Sequence, residues 1–180
     1  MNILAVYDHE QLELPSKVLT HREDIDPLLS VLGVRLESLE PLPGITPKST
    51  DQQILEAARS SLASSAATKV MEHMAVQRVD AAPDYATEPH NIAVEQSFAQ
   101  TLALLLVKGA GVICLHHHEQ LLVLSCRRGD MLLLPKHLAH WFVASAGQPS
   151  LIVHASETQD GLLAEPTGND IAQRYQVLEL

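Results

Sequence analysis

Residues 128 to 142 read RGDMLLLPKHLAHWF, and the order of residue types in that stretch decides how the rest of the chain is read. Arg128, Gly129 and Asp130 carry turn chemistry. Met131 to Leu134 is an apolar run too short for a helix, and Pro135 closes it. A second short run, from His140 to Ala144, follows after a four-residue interval. Two brief apolar segments separated by Gly, Pro and charged residues read as strands joined by tight loops.

The same rhythm continues on both sides. TLALLLV, GVICLH and QLLVLSC precede the stretch and SLIVH follows it, with Lys-Gly-Ala-Gly, His-His-Glu, Arg-Arg-Gly-Asp and Ser-Ala-Gly-Gln-Pro between the runs. Evenly spaced short strands of this kind predict an antiparallel sandwich or small barrel around a pocket, here over residues 96–156. The part before it, 1–95, is mixed. MNILAVY predicts a first strand, and Thr20 to Glu23 has the spacing of a capping box ahead of a helix that stops near Gly33. VRLESLE (34 to 40) alternates like a half-buried strand. Ser49 to Gln52 is a second capping-box candidate before an Ala- and Leu-rich helix, and Ala75 to Val79 is a further strand. AAPDYATEPHN (81 to 91) reads as a surface connection, and 157–180, with TGNDIAQRY, as a C-terminal cover. The chain is therefore read as one domain over 1–180: an N-terminal α/β part packed on a mainly β barrel, with flanking helices.

Composition narrows the partners. At 180 residues and 46% hydrophobic the chain can bury one sizeable core. Twelve basic against 22 acidic residues, dispersed along the chain, give a net charge of -10, which argues against binding nucleic acid. No apolar run reaches the roughly 18 to 20 residues of a membrane span, and MNILAVYDHEQLELP lacks the pattern of a signal peptide, so the expectation is a cytoplasmic protein with a small-molecule ligand and no membrane partner. Cys114 and Cys126 flank a predicted hairpin. A cross-strand disulfide is conceivable there, and buried thiols are the plainer reading.

Gly129, Pro135 and His140 have the spacing of the second metal-binding motif of a cupin barrel. In metal-binding cupins the first motif is HxHxxxE followed, after six intervening residues, by glycine, so that two imidazoles from one strand and a carboxylate converge with the second motif's histidine. Counting back from Gly109 places these ligands at 96, 98 and 102, where the chain has Gln96, Phe98 and Leu102. VKGAGVICLH (107 to 116), VLSCRRGDMLLLPKHLAHWF (123 to 142) and PTGNDIAQRY (166 to 175) resemble the corresponding segments of the acireductone dioxygenases, cupins of methionine salvage that use Fe(II) or Ni(II) and dioxygen to cleave an enediol ketone.

The resemblance implies a cupin double-stranded β-helix, but only His140 keeps its ligand type among the four family positions. It also places Leu104 and His154 where the family has arginines near the substrate, and Leu162 where it has tryptophan. Phe142 agrees with the family. Gln96, Phe98, Leu102, Leu104, Phe142 and Leu162 are accordingly the expected pocket lining, with His140 and His154 as the candidate catalytic pair. His154 is equally readable as a packing residue. Glu95 matches a family glutamate and reads as a strand-edge surface residue or, if desolvated, as a base. His116, His117 and His118 read as the cap of an exposed hairpin, and His137 as an exposed loop residue.

Three functions stay open on this reading. The first is a metal-independent isomerase, cyclase or lyase that uses a pocket histidine and no cofactor. The second is a non-catalytic ligand- or protein-binding cupin. The third is an oxygenase of the acireductone dioxygenase type, with Fe or Ni in a rearranged site.

Overall fold

The computed structural model describes residues 1–81 and 93–175, so most of the connection expected at 81 to 91, His90 included, lies outside the described residues. Among the described residues twelve strands form two sheets, and every pairing is antiparallel. In chain order they are β1 (Leu4–Asp8), β2 (Lys17–Leu19), β3 (Arg35–Ser38), β4 (His73–Val79), β5 (Gln96–Ser97), β6 (Leu102–Lys108), β7 (Ala110–His117), β8 (Gln120–Arg127), β9 (Asp130–Leu134), β10 (Ala139–Ala144), β11 (Ser150–Ser156) and β12 (Glu165–Pro166). One sheet runs β12-β5-β10-β7-β8-β1-β2 and the other β3-β9-β6-β11-β4. All six apolar runs around residues 128 to 142 are strands. The first part of the chain contributes β1 and the edge strand β2 to one sheet, and β3 and β4 to the two edges of the other.

Strands β6, β8, β9 and β10, with β1, are apolar on most residues because both faces of each sheet are covered there. Between the sheets, alternate side chains from both meet in one core, with Leu104, Leu106, Leu132 and Ile152 opposite Leu4, Ile113, Leu115 and Leu124. The outer face of the five-stranded sheet, with Ala103, Leu105 and Val153, packs against Ile54, Ala58 and Leu62 of helix α2 (Asp51–Ala63). The outer face of the seven-stranded sheet, with Tyr7, Cys114 and Trp141, is covered by Ile171 and Ala172 of the short helix α3 (Ile171–Arg174) and by Tyr175. The two sheets are separate hydrogen-bonded units of a cupin-like sandwich. No helix among the described residues is long and apolar enough to cross a membrane.

Three local expectations change. The capping box at Thr20 does not form. Helix α1 spans Arg22–Val31, and its N-cap is His21, without a side-chain cap bond. The second box forms one residue later than its spacing suggested. The Gln53 amide donates to Thr50 Oγ1 at 3.2 Å and the Thr50 amide to Gln53 Oε1 at 2.9 Å, because Ser49 Oγ is already occupied as acceptor for the Thr46 amide at 2.9 Å. Cys114 and Cys126 are free thiols that lie on opposite faces of their sheet, Cys114 in the outer core and Cys126 in the inner one, so no disulfide can join them.

Candidate functional site

Strand β5 is only two residues long, yet it sets the site. Gln96 stands in register with His140 on β10, and His140 with Leu115 on β7. Residues directly opposite one another in an antiparallel pair share a face, and Leu115 belongs to the inner core, so Gln96 and His140 face the interior. Two residues past Gln96, the ring of Phe98 stacks on the His140 imidazole with centroids 5.5 Å apart and planes inclined by 23°. The opposite sheet supplies His154 on β11, in register with Leu104, and its ring meets Phe98 edge-on at 5.8 Å. Leu102 pairs with Leu134, and Phe142 packs on the inner core two residues beyond His140. The structure thus gathers His140, Phe98 and His154 into one contiguous cluster. Leu162 sits half-buried on a 3₁₀ turn, Asp160–Leu162, that packs on β11 and β4.

The loop ahead of β10 orients the imidazole. His137 has a left-handed backbone, φ 66°, and its amide donates to the Phe98 carbonyl at 2.8 Å. That turn presents the Leu138 carbonyl to His140, whose Nδ1–H donates to it at 2.8 Å. A carbonyl only accepts, so the neutral ring carries its proton on Nδ1 and leaves a lone pair on Nε2. Nε2 is buried and has no hydrogen-bond partner among the described residues. Burial pushes the His140 pKa down, against opposing pulls from the Leu138 carbonyl and the Glu95 carboxylate. His154 is pulled down to about 4, chiefly by burial and secondarily by His140. Both rings are neutral at neutral pH.

Glu95 departs from the surface reading. It is 2% exposed, and its two carboxylate oxygens accept from Thr167 Oγ1 at 2.6 Å and from His116 Nδ1 at 2.7 Å. The carboxylate clamps β7 and the C-terminal cover to the start of β5. His116 is consequently separate from its neighbours, a strand residue tied to Glu95, whereas His118 forms the turn itself with φ 53° and its ring lies tilted against that of His117, with centroids 4.1 Å apart. Sequence spacing could not show this division, because it depends on which side of β7 each ring leaves. His137 is exposed, as expected.

Gln96, Phe98, Leu102 and His140 present an amide, a phenyl ring, an isobutyl group and one imidazole. Among the described residues no three His, Cys, Asp or Glu side chains are grouped so that they could hold a metal ion.

No protein-family model matches the chain. Curated proteins similar to it along their whole length include the acireductone dioxygenase of Pseudomonas paraeruginosa, 28% identical over 185 aligned positions covering 99% of each chain. Those of Pseudomonas aeruginosa and Stutzerimonas stutzeri are each 27% identical with the same coverage. Among solved structures, an acireductone dioxygenase from Bacillus anthracis with a cadmium ion in its active centre superposes with a TM-score of 0.68 at 14% identity, over 92% of this chain and 98% of that one. The chain is thus similar along its whole length to curated acireductone dioxygenases, and it shares the cupin-like fold of a solved one.

Proposed function

We propose that this chain is a relative of the acireductone dioxygenases that has exchanged the ion site for an apolar pocket, and that it acts on a small, partly apolar molecule with His140 as a metal-independent general base. The donor set carries the first half of the proposal. Loss of a single partner outside the ligand sphere typically weakens metal binding or activity about 10- to 100-fold, and here three ligand positions hold groups with little or no affinity for Fe(II) or Ni(II). The residues present do not fit the family's ion.

The second half rests on the unpartnered Nε2 of His140. A buried neutral imidazole, fixed in one tautomer by the Leu138 carbonyl, keeps an unshared electron pair inside the sandwich. Such a group can take a proton from a bound molecule, and general base assistance of this kind contributes about 10²- to 10⁴-fold. Isomerisation, cyclisation and elimination need no oxidant and suit a single base. Phe98 offers a flat apolar wall beside the ring, and Leu104 with His154 offers no fixed positive charge, which favours a substrate of low charge. A second reading, a binding protein without chemistry, is favoured by the bulk of Phe98, Leu102 and Leu104, each almost fully buried and able to fill the interior.

The test pairs His140→Gln with native mass spectrometry of the protein purified without a histidine tag. The expected outcome is a co-purifying small molecule that the variant retains unchanged and the parent converts. If parent and variant hold the same molecule and neither converts it, the binding reading stands instead. If the chelated protein reloads one equivalent of Fe(II), Ni(II) or Mn(II) and turns over an acireductone, the proposal is overturned.

A further inference from the structure

The far end of the sandwich carries a second candidate site, built from turns that the interior cluster does not use. A cavity of about 560 Å³ opens between the end of β4, the β6–β7 turn, the β8–β9 turn and the start of β11. That volume lies within the roughly 300–1,000 Å³ usual for small-molecule sites. Ser150, on its wall, is four residues along β11 from His154, which at strand rise is about 13 Å. The two sites therefore lie apart along the same strand, one at its start and the other past its middle.

Charge distinguishes this end of the molecule. The chain carries 12 Lys and Arg against 22 Asp and Glu, yet three of the twelve cations, Arg78, Lys108 and Arg128, line the cavity, and among the described residues Asp80 is the one carboxylate lining it. Arg78 is held in place by the Ser49 carbonyl at 3.0 Å and the Asp51 carboxylate at 2.8 Å. Lys108 and Arg128 form no ion pair among the described residues. Pro149 and Leu151 contribute hydrocarbon wall between them.

The cations stand on fixed backbone. Gly109 and Gly129 have φ of +88° and +96°, a region costly for other residues. A Cβ at Gly109 would come within 2.6 Å of the Pro149 carbonyl, so these turns pack main chain against main chain. The Gly129 amide donates to Leu106 O at 2.9 Å, the Leu39 amide to Gly129 O at 2.8 Å, and Ser150 Oγ to Ala110 O at 3.1 Å. Turns tied in this way lose little freedom when a ligand binds.

We infer that this cavity binds a small amphiphilic anion, with a carboxylate or phosphate head between Lys108 and Arg128 and a short apolar body against Pro149 and Leu151. A single head is specified because the net charge of -10 disfavours a polyanion. Arginine suits the forked oxygens of either head, and lysine adds a point charge.

The test follows backbone amide resonances of the full chain during titration with phenyl phosphate, benzoate and, as the uncharged control, benzyl alcohol. Saturable shifts confined to Lys108, Gly109, Arg128, Gly129 and Ser150 are expected for at least one of the two anions. The tighter of the pair identifies the head. Lys108→Gln with Arg128→Gln, both on the periphery, is expected to weaken that binding at least about tenfold, with Arg128→Gln alone giving an intermediate loss. His140→Gln should leave it unchanged, which separates this site from the interior one. Absence of saturable shifts at millimolar anion, shifts undiminished in the double variant, or equal binding of benzyl alcohol each overturns the inference.

Discussion

His154 makes the fold sensitive to acid. Its pKa falls from the ordinary histidine value, near 6.5, to about 4 because the ring is 9% exposed and faces another imidazole. The unfolded chain therefore binds a proton at higher pH than the native chain does. Stability is fully present above about pH 6.5, declines as pH falls toward about 4, and levels off below that, with a loss on the order of 3 kcal/mol from this ring. Urea midpoints measured across that window should fall with pH. His154→Leu, which packs hydrocarbon against Leu104, should flatten the slope while leaving the part due to His140. A second prediction concerns His137, whose left-handed backbone is less favourable for a residue with a Cβ than for glycine. His137→Gly should raise stability by roughly 0.5–1 kcal/mol in thermal or urea unfolding, and an unchanged midpoint would show that the turn carries no strain. The position of His140 is legible from the Gly129, Pro135 and His140 spacing. Its tautomer is not, because it depends on a carbonyl that only the turn at His137 brings within reach.

At the scale of elements, the cap of α2 shows how close a spacing argument comes. Ser49 to Gln52 and Thr50 to Gln53 both have a hydroxyl three residues before an amide, and only the local bond from the Thr46 amide to Ser49 Oγ selects between them. Thr50→Ala should cost about 1 kcal/mol in denaturant unfolding, and Ser49→Ala distinctly less. The reverse order would place the cap back at Ser49. The long strands are legible because apolar runs and turn residues alternate along the chain. Strands β5 and β12, two residues each, are invisible to any propensity argument. They exist because Gln96 pairs with both His140 and Pro166, while Glu95 ties the same segment to His116 and Thr167. The burial of Glu95 could not be read from the sequence for the same reason: its two partners lie 21 and 72 residues away.

The molecule as a whole consists of two sheets with a core between them and a further core on each outer face. The two cysteines report on different cores of this arrangement. Cys126 lies in the inner core, which both sheets enclose, and opening it requires the sheets to part. Cys114 lies in the outer core with Ile171, Ala172 and Tyr175, and among the described residues the cover of this core includes a four-residue helix and the residue after it, with Leu12 and Ala93 packed alongside. A helix of that length has little stability of its own, and its opening is expected to need less disruption than parting the sheets. Burial raises both thiol pKa values, so neither reacts while covered, and modification measures opening. With Cys126→Ala, native protein should be modified at Cys114 by a local opening whose rate depends weakly on urea. With Cys114→Ala, the remaining thiol should react only through an opening that depends steeply on urea and follows the loss of sheet signal in circular dichroism. Equal rates with equal urea dependence would mean that the C-terminal cover and the two sheets open as one unit.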